Sequence, residues 1–322
     1  MNRERITDRV FTWAKEQLSL AMAEGDLAVV KKAIVLAAVC IHDRADLDQM
    51  KDALRSMGLD DRLSADELHN IHFDLPFFIA YYKLAGHLPA AIKDRLEKTQ
   101  LAVKREIEEN EDWKLLGTYL LLNQLAPVQL SVIPPADLAI LIDKPMPYYL
   151  SAGNHELNSL IHTIMIHSGF GTQQLTGNDA MRISILEVRM IAALRNYDLI
   201  QACSILQVLN YMGASNSGAG DDTLAFLVNN QAEEGFIGYY EREFLKMKMH
   251  TPAARRSFQL SSSLIAVITL LECTSDYRFH SDMFRTWDAP FIKTFADSGG
   301  VQPLKKRPDH TGVQMEGDIR KA

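Results

Sequence analysis

Residues 154–171 read NHELNSLIHTIMIHSGFG, with three histidines, one carboxylate and no lysine or arginine. Imidazole titrates near neutral pH, so such a stretch can supply a general acid, a general base or a metal ligand. Zinc held by one helix needs histidines four apart, as in HExxH. Here the position four after His155 is Ser159, so that pattern fails. His155 and His162 lie two helical turns apart and share a face, with Ser159 between them. Leu157, Leu160, Ile161 and Ile164 take the opposite face. A solvent face more often carries lysine or glutamate, so the His–Ser–His side is expected to border an enclosed cavity. On that reading His155 and His162 act as general acid and base, and Glu156 assists. The competing reading is a pair of histidines hydrogen-bonded within the core. No metal is expected on these two residues alone, since other helices would have to add ligands.

Other polar residues stand in stretches that lack charge: His42, Tyr82, Asn123, Asn210 and Ser261. Burying such a group without a partner costs roughly 1–3 kcal/mol. They are therefore expected to bond one another, water or a ligand, and together with Ser159 and Asp222 they form the predicted ligand-binding set. Three further stretches read as ordinary surface. His69, His72 and Asp74 in ELHNIHFD have charged flanks, and the acidic fragments HDRADLDQ and GDDT suit solvated loops or helix caps. The stretch NYMGASNSGAGDDT reads as a loop at a cavity mouth.

The elements that must position these groups are helices. The chain has 322 residues, 47% hydrophobic and 23% charged, with ample length for a large core. Its net charge of −7 argues against a nucleic-acid surface. Cys40, Cys203 and Cys273 are widely spaced, without CxxC, which excludes a disulfide framework and points to buried thiols. The charged start, MNRERITDRVFTWAKE, has no apolar signal region, and no uninterrupted apolar stretch reaches about 18 residues. No membrane span and a cytoplasmic location are the expectations.

DRVFTWAKEQLSLAMAEG places Val10, Trp13, Leu18 and Met22 at helical spacing and stops at Gly25. Ser64 and Glu67 form a capping-box pattern. Six runs without Asp, Glu, Lys or Arg recur: 33–42, 75–82, 115–136, 145–178 (broken at 155–156), 199–220 and 257–271. Charged amphipathic segments such as 91–112 and 179–198 lie between them. A helix with almost no charge is shielded on nearly every side, whereas one charged face marks a border with water. The alternation at roughly 40-residue intervals predicts helical hairpins, with charge-poor helices inside and charged helices outside. The fold class is therefore all-α: an (α/α)6 barrel over 1–288, with an irregular tail over 289–322. An open α-solenoid is the alternative, although its helices usually keep a solvated face each.

One motif carries a family likeness. NNQAEEGFIGYY, with Gln231, Gly235, Gly238, Tyr239 and Tyr240, resembles the Q-x-x-x-G-x-aromatic repeat at helix–helix turns of triterpene cyclases. Physically, the glycines permit a tight turn and the glutamine can tie helix ends together. With the six-hairpin pattern, the chain resembles the six-hairpin barrel superfamily of terpenoid cyclases and protein prenyltransferases. The E-L-x-x-x-I-H helix followed by F-G is similar to bacterial proteins encoded near natural-product genes. The D-x-D-D and D-D-x-x-D acidic motifs of that superfamily's cyclases are missing. The resemblance implies a biosynthetic enzyme that modifies a small molecule or peptide in the barrel lumen, without a cofactor. The alternative is a non-catalytic protein that holds a hydrophobic ligand, a peptide or a carrier partner. Carbohydrate processing would need two carboxylates facing one cavity, and the charge-poor runs supply few.

Overall fold

The computed structural model of the protein describes residues 3–41, 44–59, 71–112, 115–125, 128–132, 144–168, 171, 175, 180–238, 251–275, 277 and 279. Among them every regular element is helical. The α-helices are α1 (Arg3–Glu24), α2 (Leu27–Cys40), α3 (Arg44–Ser56), α4 (Ile71–Ala85), α5 (Ala90–Asn110), α6 (Leu116–Leu125), α7 (Asn154–His167), α8 (Ala180–Arg195), α9 (Leu199–Tyr211), α10 (Gly218–Asn229) and α11 (Pro252–Thr274). A short 3₁₀ turn, Met146–Leu150, precedes α7. The capping box at Ser64 and the tail from Ala289 lie outside the described residues.

The hairpins are written locally. α1 ends at Gly25, whose φ of 74° is left-handed, and Asp26 then accepts from Val29 N at 3.1 Å to start α2. α8 ends the same way at Tyr197, φ 60°, and Asp198 accepts from Gln201 N at 3.1 Å to start α9. Tyr197 has a β-carbon, so the left-handed backbone costs it roughly 1–2 kcal/mol. Its hydroxyl donates to Asn230 Oδ1, just past the end of α10, at 2.5 Å and its ring meets Phe226 of α10 edge-on, which offsets that cost. The stretch 210–223 is only partly a loop. Ser217 caps α10 by accepting from Gly220 N at 3.2 Å, so GAGDDT begins a helix.

Each charge-poor run forms or feeds a helix: α2, α4, α6, α7, α9 and α11. The amphipathic segments form α1, α5, α8 and α10. α2 is buried throughout Ala33–Cys40, and α9 is buried at ten of its positions, Leu199 to Tyr211. α11 lies against α2 and α9, α2 against α4, α4 against α6, and α7 against α9. Gly117 of α6 faces Ile166 of α7, where an added β-carbon would stand 2.8 Å from Cδ1. Three contacts join like ends of neighbouring helices. Lys32 Nζ, early in α2, donates to Ser257 Oγ, early in α11, at 2.7 Å. Lys83 Nζ, late in α4, reaches Ala38 O, late in α2, at 3.4 Å. Asn210 Nδ2, late in α9, donates to Glu272 O, late in α11, at 3.0 Å. α4, α2, α11 and α9 therefore run the same way, and the hairpin partners α1 and α8 run the opposite way.

α11 is long and apolar enough by length and composition to cross a membrane, and 56% of that window is buried here between its neighbours. Cys40 and Cys203 sit in the core. Burial pushes both thiols up, Cys203 to about 12, so neither is a thiolate at neutral pH.

Candidate functional site

α7 starts at Gly153 without a side-chain cap. Leu157, Leu160, Ile161 and Ile164 are buried in one apolar cluster with Ile205, Leu206 and Leu209 of α9. That half of the helix matches its sequence pattern. The other half carries His155, Asn158, Ser159 and His162, and all four are exposed to solvent. The expected enclosed wall is thus corrected to an open face: burying the Leu/Ile stripe against α9 turns the His–Ser–His stripe outward. Glu156 sits in the first turn, where a β-carbon on Gly153 would meet its Oε2 at 2.8 Å. Its carboxylate lies over the helix start, where the backbone N–H groups favour negative charge.

The remaining predicted residues stand on different helices. Asn123 Oδ1 accepts from Gln100 Nε2 at 3.1 Å and from Val128 N at 2.5 Å, so it ties α5 to α6 and the segment that follows. Ser261 Oγ donates to Ser257 O at 3.1 Å within α11. Tyr82 is half-buried on α4, and Asp222 is exposed near the start of α10. His42 lies outside the described residues, as does His69. The polar groups at Asn123, Asn210 and Ser261 are engaged within the protein.

Asn210 belongs to a network that centres on Glu272, a residue the sequence pattern passes over. Glu272 is buried at the end of α11. Its Oε2 accepts from Tyr211 Oη at 2.7 Å, and its Oε1 accepts from Phe279 N at 2.9 Å. Asn210 Oδ1 accepts from Ser215 Oγ at 3.1 Å. Gly171, φ 80°, packs on the Tyr211 ring, where a β-carbon would stand 2.4 Å from Cε1. The signal in the sequence is slight: one glutamate ending a fifteen-residue run without charge, 257–271. A buried carboxylate that accepts on both oxygens has its polar atoms satisfied and locks elements together.

The Gln231 turn performs the tie its sequence implied. Gln231 Nε2 donates to Ile6 O at 3.1 Å and to Gly235 O at 3.0 Å, while Oε1 accepts from Arg9 Nη1 at 3.3 Å. Arg9 Nη2 donates to Ala232 O at 2.7 Å. Gly235, φ 115°, lets the turn touch α1, since a β-carbon there would lie 2.4 Å from Arg9 O. Ile237 N donates to Ser263 Oγ at 2.9 Å, and Ser262 Oγ donates back to Ile237 O at 3.0 Å, which secures the turn to α11. Tyr239 and Tyr240 lie outside the described residues.

Among the described residues no group of three His, Cys, Asp or Glu is placed to hold a metal ion. Set against known proteins, the chain matches no family model, no curated protein and no solved structure.

Proposed function

We propose that the chain is a closed ring of helical hairpins, an α/α barrel, that serves as a binding protein for a neutral peptide-like or hydrophobic small molecule. Closure is supported by contacts between the two ends of the chain. Lys32 bonds Ser257, 225 residues on, and Arg256 Nη2 bonds Glu24 Oε2 at 2.5 Å across 232 residues. An open solenoid keeps its first and last repeats apart. The neighbours described above support a cyclic order α2, α4, α6, α7, α9, α11 and back to α2. The likeness to the terpenoid cyclase superfamily, and with it a bacterial, cytoplasmic, natural-product setting, is part of this proposal.

The observation that carries the binding reading is the open face of α7. His155, Asn158, Ser159 and His162 give donors and acceptors in one exposed row, on a helix anchored from behind by its apolar side. Such a row suits amide groups. Heteronuclear NMR of the imidazoles during titration with a panel of blocked tripeptides tests it. Shifts at His155 and His162, abolished in the double alanine variant at unchanged melting temperature, are the expected result. No shift with any peptide removes the reading.

Catalysis is the second reading, favoured by the accessibility of both imidazoles to a substrate. His155 and His162 would exchange protons and Glu156 would assist. It requires turnover of a panel substrate that disappears in His155→Ala or His162→Ala.

A further inference from the structure

The hydroxyl groups along α11 mostly turn to backbone carbonyls. Ser261, Thr269 and Thr274 donate to the carbonyl one turn back, and Ser263 donates to Ile237 O. A hydroxyl held that way has its proton engaged by the backbone. Ser257, in the second turn of the same helix, departs from this pattern. Its Oγ stands 2.7 Å from Lys32 Nζ of α2. Lys32 Nζ also lies 3.3 Å from Ser257 O, which accepts from Ser261 Oγ as well.

Lys32 differs in turn from the lysines of α5. Lys93, Lys98 and Lys104 each meet a carboxylate one turn away. At the corresponding positions around Lys32 stand Ala28 and Leu36. Burial pushes the Lys32 ammonium below the ordinary lysine range, and Asp26 opposes that shift. Asp26 Oδ1 is itself engaged by Val29 N as the cap of α2. On the other helix Arg256, the neighbour of Ser257, bonds Glu24 Oε2 at 2.5 Å. Lys32 and Ser257 are both half-buried, so a small molecule can reach them where part of their water is already removed. A partly desolvated lysine gives up its proton more readily than an exposed one. A neutral amine has two N–H donors and one lone pair. In that form Nζ donates to Ser257 O and accepts from the Ser257 hydroxyl, and the two short contacts are satisfied together.

We propose that Lys32 and Ser257 are a serine–lysine dyad that takes an acyl group from an aryl ester or a thioester. Pairs of these two residues carry out acyl transfer on unrelated folds. Ser257 Oγ bonds to the acyl carbon as Lys32 Nζ takes the hydroxyl proton, and the carbonyl π pair moves onto oxygen. When the carbonyl re-forms, the bond to the leaving oxygen or sulfur breaks, and the departing group takes the proton from Lys32. Water then adds to the acyl carbon on Ser257 and passes a proton to Lys32. The carboxylic acid leaves as Oγ takes that proton back. Aryl esters and thioesters suit the pair because their leaving groups depart as weak bases. The site lies where the first hairpin meets α11, and it does not rest on the reading given for α7.

Treatment of the full chain with a fluorophosphonate probe, followed by peptide mapping, tests the proposal. The probe's phosphorus bonds to Oγ and fluoride leaves. The expected result is one adduct, on Ser257, together with release of p-nitrophenol from p-nitrophenyl acetate. Lys32→Arg keeps a cation that can donate to Ser257 but cannot take its proton. It should slow both reactions by about 100-fold at unchanged melting temperature. Lys32→Met gives the same comparison if the arginine variant melts lower. Four results overturn the proposal. They are no adduct on Ser257, labelling spread over several serines, acetylation of Lys32 in place of Ser257, and rates indifferent to the Lys32 variants.

Discussion

The turn at Gln231–Gly238 and the exposed face of α7 both offer side chains that can donate and accept, the Gln231 amide in one and imidazoles with a serine in the other, and they end in opposite states. Gln231 directs both ends of its amide to partners on α1 and within its own turn. His155, Ser159 and His162 point to water. The difference lies in what surrounds each segment. The turn is held between α1 and α11, with Phe236 5.6 Å from the Trp13 ring. α7 packs its apolar side on α9, with Ile166 against Gly117 of α6. A polar side chain pressed between elements becomes structural, because an unpaired group there is costly, and the same chemistry at an exposed edge lies within reach of a ligand.

The largest effect is expected where the turn touches α1. Gly235→Ala puts a β-carbon into Arg9 O at a φ that L-residues avoid, and should destabilise by about 3 kcal/mol or more. A denaturant midpoint close to that of the parent would show that the contact is loose. Next comes the buried carboxylate. Tyr211→Phe removes one donor from Glu272 and should cost about 2 kcal/mol. Gln231→Ala should cost about 1–3 kcal/mol, and a cost for Arg9→Ala that is not additive with it would confirm that the two act as one unit.

A smaller effect is expected in acid. Glu108 accepts from Lys104, and from Ser131 N and Oγ at 2.5 and 2.6 Å, which holds its carboxyl down at about 2. An ordinary glutamate titrates near ~4.3. The depressed value means that the ionised form is favoured in the fold. Its contribution is therefore full above the ordinary value and is lost as pH falls through the depressed one. The stability gap between the parent and Glu108→Gln should close over that window, and a gap independent of pH would refute the assignment. The smallest effects belong to the α7 face. His155→Ala and His162→Ala should each move stability by no more than about 0.5 kcal/mol. A loss several times larger in thermal unfolding would place these histidines with Gln231 and erase the contrast.

Much of the architecture was legible in the chain itself. Six charge-free runs announce helices that are covered on most sides, because charge is tolerated only where water reaches it. Gly25 and Asp26 mark a hairpin by local sterics and capping alone, and the glycines of the Gln231 turn do so by their backbone freedom. The all-helical class follows from such local rules. What only the tertiary structure decided is which neighbour each surface meets. The stripe of His155, Ser159 and His162 has the same periodicity whether it lines a closed cavity or faces water, and the packing of Leu157 and Ile161 on α9 turned it outward. Asn123 and Asn210 are equally polar in the sequence, but their partners Gln100, Val128, Glu272 and Ser215 come from other elements and segments. Glu272 looks like a routine end to an apolar run until Tyr211 and Phe279 close over it. Hydrogen bonds across elements depend on distances that spacing along the chain does not encode, so the helices could be read from the sequence and their contacts could not.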